Sequence, residues 1–280
     1  MPHFYDKLGN PHHFIERSDG NGMRDSTLRD CKKHGWLPSV NGIIDIADKP
    51  GLDRAVKYKV IDYTWRNTDL RASVLDMTIE EYRGIVLERA FKDWEESKII
   101  GGEIHEDIEA IFKDNLEHTF KHGEIAQKAV EAIVAYCETD DFIAEEIVIG
   151  DGYGGMIDLH NSDFLIDSKS KDISDKDWQQ YLDWKEGKGK PPKLAYDEQA
   201  MQLAAYHEAL LAGPFETIKE LIDDLNSPTV HRRCINVFID RTHAGRVIIH
   251  EWTSEEIEKA WKQFYHLLQY WQISKDYYPS

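Results

Sequence analysis

The sequence predicts an α/β fold in which a mixed sheet is flanked by helices. Three observations lead to this prediction. Apolar residues recur at helical spacing on both sides of the middle of the chain. Residues 154–169 alternate with period two around a turn, and two further strand patterns, at 234–240 and 246–252, precede a closing helix at 255–274. Helices that precede, separate and follow the strands in this order can flank one sheet.

The first 98 residues are predicted to form an N-terminal arm followed by a helical region. Residues 1–35 are polar and show few apolar periodicities, so we interpret them as a loosely packed arm. Helical patterns follow at 52–65 and 78–97. The histidines of the arm fit no recognised metal site and are His3, His12, His13 and His34.

Residues 99–280 are predicted to form the core, as one compact unit. Besides the hairpin and the last two strands, its predicted elements are a strand at 142–149 and helices at 103–121, 124–137, 197–212 and 214–225. Residues 185–193 contain glycines and two prolines and predict a long loop beside the hairpin. That loop is either a flap that contacts substrate or a disordered surface loop.

Composition limits the class of protein. A chain of 280 residues with 41% hydrophobic and 11% aromatic content can bury a sizeable core. No run of about 18 apolar residues occurs, so no membrane span is expected, and the N-terminus lacks the apolar stretch of a secretory signal. We therefore expect a cytoplasmic protein, of a bacterial or phage-infected cell. Cys31, Cys137 and Cys234 lie far apart and predict reduced, buried thiols rather than disulfides or a zinc site.

The hairpin at 154–169 brings two acids together. With a two-residue loop at 162–163, its register places Asp158 directly opposite Asp167. Lys169 lies two positions beyond Asp167 and therefore projects from the same face of the sheet. Opposed like charges destabilise a hairpin, and a Mg²⁺ or Mn²⁺ ion bound by the carboxylates would compensate for them. The pattern suits divalent-metal phosphodiester chemistry, and the alternative is a solvated strand with an ordinary salt bridge.

Further polar residues flank the hairpin. His105 lies beside the apolar stripe of a predicted helix, either as a metal ligand or as a helix-surface histidine. Gln202 and Tyr206 are four residues apart on one helix face, where they either hold a phosphate or the displaced strand, or form a helix–sheet seam. Glu145 and Glu146 precede the hairpin, and period two lets only one of them face it. A salt-bridged edge strand is the alternative for this pair.

Taken in order, these residues resemble the RecB-like branch of the PD-(D/E)XK nuclease superfamily, which includes the mitochondrial genome maintenance exonuclease family and many viral exonucleases. The resemblance covers about residues 36–210. It rests on four motifs, which fall on Gly102 with His105, Gly155 with Asp158, Asp167 with Lys169, and Gln202 with Tyr206. The segment Leu37-Pro38-Ser39-Val40 also resembles one found before the core of several such exonucleases.

The resemblance implies a restriction-endonuclease-like fold with Mg²⁺ or Mn²⁺ as cofactor. The metal ligands it implies are His105, Asp158, Asp167 and the backbone carbonyl of Ser168. Lys169 is implied as the catalytic lysine, and Gln202 and Tyr206 as residues that position the substrate or support the metal. Some relatives hold an iron–sulfur cluster with four cysteines, which three cysteines cannot supply, so no cluster is expected. No Walker-type loop is present, so no nucleotide cofactor is expected.

The function expected from this resemblance is a Mg²⁺- or Mn²⁺-dependent deoxyribonuclease, an exonuclease that acts on DNA ends or single strands in replication, recombination or repair. The alternatives are a nonspecific endonuclease or an RNA-directed nuclease on the same fold, or a nucleic-acid-binding module that does not cut. A net charge of −18 opposes a nucleic-acid partner unless bound metal offsets the acids and lysines gather near the site. Trp178, Tyr181 and Trp184 follow the hairpin, where they either stack on bases or pack in the core.

Overall fold

The computed structural model describes residues 3–47, 49–72, 77–212 and 232–279. The chain forms two compact units, one of Met1–Ile46 with Ile104–Ser280 and one of Ala47–Glu103. This division differs from the one expected at residue 98, because the first 46 residues belong with the sheet. The predicted helix at 214–225 lies outside the described residues. No described helix combines the length and the apolar character needed to cross a membrane.

A mixed sheet of five strands forms the centre of the larger unit, as predicted. Its strands, in both sequence and spatial order, are β5 (Ile143–Gly150), β6 (Tyr153–His160), β7 (Phe164–Lys171), β8 (Arg233–Asp240) and β9 (Val247–Glu251). The pair β7 and β8 is parallel, and the other neighbours are antiparallel. A parallel pair needs a long crossover. The described part of this crossover contains two helices.

Helices flank this sheet. Those that lie wholly in the larger unit are α1 (Leu28–His34), α2 (Val40–Ile44), α7 (Gly123–Cys137), α8 (Asp175–Lys185), α9 (Asp197–Leu211) and α10 (Ser254–Lys275). Local sequence explains the start of the last one, because Thr253 caps it and Glu256 completes a capping box. In the crossover, α8 begins at the Ser174 cap, whose side chain accepts a hydrogen bond from the Asp177 amide. Helix α8 was not predicted, since its sequence is strongly polar.

Helix α9 is almost entirely buried and packs with α10 and the sheet. Tyr206 lies so close to β6 that a Cβ on Gly155 would come within 2.3 Å of its ring. Tyr153 of β6 donates a hydrogen bond from its hydroxyl to the Ala205 carbonyl, at 2.9 Å. Small side chains permit this close approach, and the buried alanines of α9 are Ala200, Ala204, Ala205 and Ala209.

The prediction of a loosely packed N-terminal arm was wrong. Phe4 and Tyr5 form strand β1, which pairs with β4 (Leu37–Pro38), and both side chains are buried. The aromatic and thiol side chains of this region bury one another, because Phe4 packs with Cys31 and Trp36 in a small apolar cluster. A second hairpin joins β2 (Phe14–Glu16) to β3 (Met23–Asp25).

The Leu-Pro-Ser-Val segment has a structural role in this region. Leu37 and Pro38 form β4, and Ser39 caps helix α2 by accepting a hydrogen bond from the Gly42 amide at 3.0 Å. Val40 is then completely buried in the main core. The segment therefore fixes α2 against the sheet.

The smaller unit is helical, as predicted for residues 52–65 and 78–97. Its helices are α3 (Pro50–Arg66), α4 (Thr68–Ala72), α5 (Ile79–Ala90) and the first half of α6 (Lys92–Phe112). Thr78 and Glu81 form a capping box that starts α5. The predicted start of a helix near residue 103 was wrong. Helix α6 begins at Lys92 and continues through Gly101 and Gly102.

Candidate functional site

The register of the hairpin β6–β7 agrees with the predicted one. Asn161 stabilises the turn through two hydrogen bonds. Its backbone N–H donates to the Phe164 carbonyl at 3.0 Å, and its side-chain Oδ1 accepts the Phe164 N–H at 2.8 Å. The register pairs are His160 with Leu165 and Leu159 with Ile166. The next position in this register holds Asp158 and Asp167. Here the ladder gives way to a side-chain contact, in which Asp158 Oδ2 accepts the Ser168 N–H at 2.7 Å.

Asp167 is fully enclosed and is held by two side chains. Lys169 Nζ donates to its Oδ1 at 2.7 Å, and Asn236 Nδ2 donates to its Oδ2 at 2.7 Å. Asn236 is itself fixed, because Trp252 Nε1 donates to its Oδ1 at 2.7 Å. Sequence reasoning missed Asn236. The available signal was an amide side chain in the otherwise apolar strand β8.

Charge and burial oppose each other at this pair. Burial raises the pKa of Asp167 above its ordinary value, Lys169 opposes that rise, and the nearby charge of Asp158 adds to it. Burial alone would lower the pKa of Lys169, but the charges of Asp167 and Asp158 hold it above its ordinary range. Lys169 is therefore a cation held by two acids, with its side chain 31% exposed.

His105 is brought to the same place from α6. Its Nδ1 lies 3.6 Å from Asp158 Oδ2, and its side chain is only partly buried. The neighbouring residues Ile104 and Ile108 are buried, so α6 packs through its apolar stripe and leaves His105 at the margin. The histidine and the acid predicted to share a ligand set are thus neighbours.

Gln202 and Tyr206 also reach the site. Gln202 Oε1 accepts a hydrogen bond from Lys169 Nζ at 3.2 Å, and its Nε2 donates to the Tyr206 hydroxyl at 3.1 Å. Burial raises the pKa of Tyr206 far above the ordinary value of a tyrosine, so its hydroxyl stays neutral. The chain of contacts from Tyr206 through Gln202 to Lys169 and Asp167 joins α9 to the hairpin.

The structure distinguishes the two glutamates of β5. Register pairs on either side of Glu145 place it opposite Asp158, and its φ of +57° breaks the regular strand at this position. Burial, together with the nearby charges of Asp158 and Glu109, raises the pKa of Glu145 to about 7, and Lys113 opposes the rise. Glu146 instead contacts the buried His160. Glu145 is therefore the acid that adjoins the predicted site.

The donor types fit Mg²⁺ or Mn²⁺, which prefer carboxylate oxygens. Their present arrangement is different, since the described residues contain no cluster of three or more His, Cys, Asp or Glu side chains close enough to hold a metal ion. Lys169 and Asn236 donate to the two oxygens of Asp167, and Asp158 accepts the Ser168 N–H. Each carboxylate oxygen has a second lone pair, so both acids can bind a metal ion while they accept these hydrogen bonds. The role of the Ser168 carbonyl as a metal ligand stays a prediction.

The three cysteines lie outside this site and are buried, as predicted. Burial raises the pKa values of Cys31 and Cys234 to about 12 and that of Cys137 to about 11. Neutral thiols of this kind are poor nucleophiles. The polar chemistry of this unit is concentrated between the hairpin, α6 and α9.

No family model matches the chain, and no curated protein is significantly similar to it.

Proposed function

We propose that the chain is a Mg²⁺- or Mn²⁺-dependent deoxyribonuclease with a restriction-endonuclease-like sheet of the RecB-like type. One observation carries the proposal. The sequence motifs on α6, β6, β7 and α9, which are up to about a hundred residues apart in the chain, meet in a continuous set of contacts around Asp158, Asp167 and Lys169. A structural salt bridge needs two of these residues and does not need His105 or Gln202 beside it.

The roles follow from position and charge. Asp158, Asp167 and His105 would hold the metal ion, and Glu145 is the nearest additional acid. A divalent cation bound there supplies positive charge against the developing charge of the phosphate and makes water a stronger nucleophile near neutral pH. The Lys169 ammonium lies between Asp167 and Gln202, beside the same acids, and can there orient the attacking water or neutralise the phosphate. Gln202 holds Lys169 in place through its side-chain oxygen.

An exonuclease that acts on DNA ends or single strands is the activity we propose, in replication, recombination or repair. The test uses end-labelled linear DNA and closed circular DNA, each incubated with Mn²⁺ or with chelator. Loss of the end label with Mn²⁺ and survival of the circle are expected. Cutting of the circle would support the endonuclease alternative, and degradation of RNA in preference to DNA would support the RNA-directed alternative.

The Lys169→Ala variant tests the site itself. We expect the rate of label release to fall by at least about a hundredfold, because a charge aimed at the reacting phosphate is lost. Lys128→Ala is the matched control, since Lys128 is an exposed lysine that also pairs with an acid, Glu131. Circular dichroism and a melting curve establish that both variants are folded. Full activity in Lys169→Ala would remove this lysine from the mechanism, and metal-independent binding without cutting would favour the noncutting module.

A further inference from the structure

A pocket opens at β9, the last strand in the order of the described sheet. Its volume is about 310 Å³, which lies within the range of pockets that enclose small ligands. The walls include aromatic and proline side chains from two helices, the strand β9 and the loop after α8: Tyr136, Tyr181, Trp184, Pro191, Pro192 and His250. The wall is therefore mainly apolar, and Lys185 and Glu251 are its charged residues.

One aromatic side chain of this pocket is not used by the core. Trp178, Tyr181 and Trp184 follow one another along α8, with ring centroids 5.6 Å and 5.9 Å apart. The first two pack against the apolar cluster around Phe238 and Ile248. Trp184 is 38% exposed and presents its ring to the pocket. The prediction of core packing is therefore confirmed for Trp178 and Tyr181, and the ring of Trp184 is available for another contact.

His250 supplies a polar atom at the pocket wall. Its Nε2 is buried and has no hydrogen-bond partner among the described residues. An unsatisfied buried donor or acceptor costs free energy, and a ligand hydrogen bond would recover it once the imidazole turns and brings Nε2 to the pocket surface. The strand register relates His250 to the candidate site, because His250 pairs with Asn236 and Asn236 pairs with Asp167.

The row from Asp167 through Asn236 to His250 crosses three neighbouring strands on one face of the sheet. Two strand spacings amount to about 10 Å. At the ~3.4 Å spacing of stacked nucleotides this is about three nucleotides, and fewer for an extended strand. About three nucleotides can therefore span the distance between Asp167 and His250.

The charge of the adjoining connection suits the same partner. Residues 185–193 carry four lysines and one glutamate in a chain whose net charge is −18. Lys185 lines the pocket directly. The connection has a defined path, because Gln180 Nε2 donates to the carbonyls of Lys190 and Pro191 at 3.1 Å each. It is thus a positive rim that is attached to α8.

We propose that this pocket binds an unpaired base of a single-stranded nucleic acid whose phosphate lies at the Asp158, Asp167 and Lys169 site. The proposal deepens the proposed function and rests on it for the position of the phosphate. Trp184 stacks on the base, His250 hydrogen-bonds to the base edge, and the lysines of 185–193 contact the neighbouring phosphates. Stacking is tolerant of sequence, since every base has a π-face.

Binding is tested on the full chain in chelator, so that no strand is cut. The probes are a fluorescein-labelled oligothymidylate and an abasic strand of the same length. For Trp184→Ala we expect oligothymidylate binding to weaken by at least about fivefold and abasic binding to stay unchanged. Trp184→Phe, which retains a stacking ring, should bind within about twofold of the parent chain. The matched control is Tyr270→Ala, because Tyr270 on α10 is 62% exposed and lies outside the pocket.

Three results would overturn the proposal: no effect of Trp184→Ala, equal weakening for both strands, or equal affinity of the parent chain for both strands. The last comparison needs no variant and holds even where a variant misfolds. The two proposals also separate. If the chain binds oligothymidylate through Trp184 but never cuts, the nuclease proposal fails and the base-binding proposal stands. If the chain cuts DNA and Trp184→Ala has no effect on binding, only the nuclease proposal stands.

Discussion

Buried carboxylates occur at several positions, and their partners distinguish structural from chemical roles. Asp107 accepts hydrogen bonds from the backbone amides of Lys121 and His122, so it fixes the chain that leads into α7. Asp240 similarly accepts the Thr242 N–H and hydroxyl within its own turn. Backbone donors hold both of these acids in place, and His118 also contacts Asp107. Asp167 is held instead by two side-chain donors, Lys169 of the same strand and Asn236 of β8.

The proton of Glu145 gives a prediction for stability against pH. Its pKa in the folded chain is about 7, against an ordinary 4.5, so the folded chain holds this proton more tightly than the unfolded chain. Stability should therefore fall as pH rises from 4.5 to 7. Glu145→Gln removes this loss. In chelator at pH 8 we expect the variant to unfold with a free energy higher by about 1 kcal/mol, with the difference vanishing at acid pH.

Urea unfolding at a series of pH values measures this effect. Glu131→Gln is the control, because the pKa of Glu131 is lowered by its hydrogen bond from Lys128. A lowered pKa has the opposite sign, so this substitution should bring no gain above neutral pH. If the free energy of unfolding changes with pH in the same way for Glu145→Gln and for the parent chain, Glu145 is not the enclosed acid that its position indicates.

At the scale of elements, two motif glycines make a matched pair. A Cβ on Gly155 of β6 would collide with the Tyr206 ring, whereas a Cβ on Gly102 of α6 would meet nothing within 4 Å. Gly155→Ala should therefore reduce the free energy of unfolding by about 1–3 kcal/mol. Gly102→Ala should raise it by about 0.5–1 kcal/mol, since alanine favours a helix. Chemical denaturation of both variants measures the two changes. If the free energy of unfolding of Gly155→Ala equals that of the parent chain, α9 can move away from β6.

The strands and the strongly apolar helices were predictable because their periodicity is local. β5 and the hairpin β6–β7 lie where alternation placed them, and α9 and α10 agree to within a few residues. Two of the differences have identifiable reasons. The helix predicted from residue 103 begins at Lys92 instead and runs through Gly101-Gly102, with Ile104 and Ile108 buried beyond them. Helix α8 has few apolar residues, and its Trp178 and Tyr181 find the core only through the tertiary fold.

The site was predictable in its acids and lysine but not in its supporting contacts. The spacing of Asp158, Asp167 and Lys169 is readable from a hairpin register. The role of Asn236 depends on the pairing of β7 with β8, which joins Asp167 to a residue sixty-nine positions further along the chain. The role of Glu145 depends on a break in β5. The amide in β8 marks Asn236 as unusual, but neither its pairing with β7 nor the break in β5 leaves a signal in the local sequence.

For the whole molecule, the acidic balance has to be reconciled with the anionic partner that we propose. The chain has 52 acidic and 34 basic residues, so its overall field repels nucleic acid. At physiological salt such a field is screened beyond about 8 Å. Local lysines can therefore govern binding, provided that they lie close to the strand. Residues 185–193 meet this condition at the pocket rim.

Salt dependence tests whether these lysines act locally. Neutralising Lys185, Lys190 and Lys193 to glutamine should remove about three phosphate contacts, and each contact contributes about 0.7 to the slope of log affinity against log salt for a single strand. We expect the slope for an oligothymidylate, measured in chelator, to become shallower by about 2. The control replaces Lys7, Lys33 and Lys259, which are exposed and far from residues 185–193 in sequence. The control makes the same change in net charge. An equal loss of slope in both triple variants would therefore mean that only total charge matters. An unchanged slope in the variant of Lys185, Lys190 and Lys193 would mean that the nucleic-acid strand binds elsewhere.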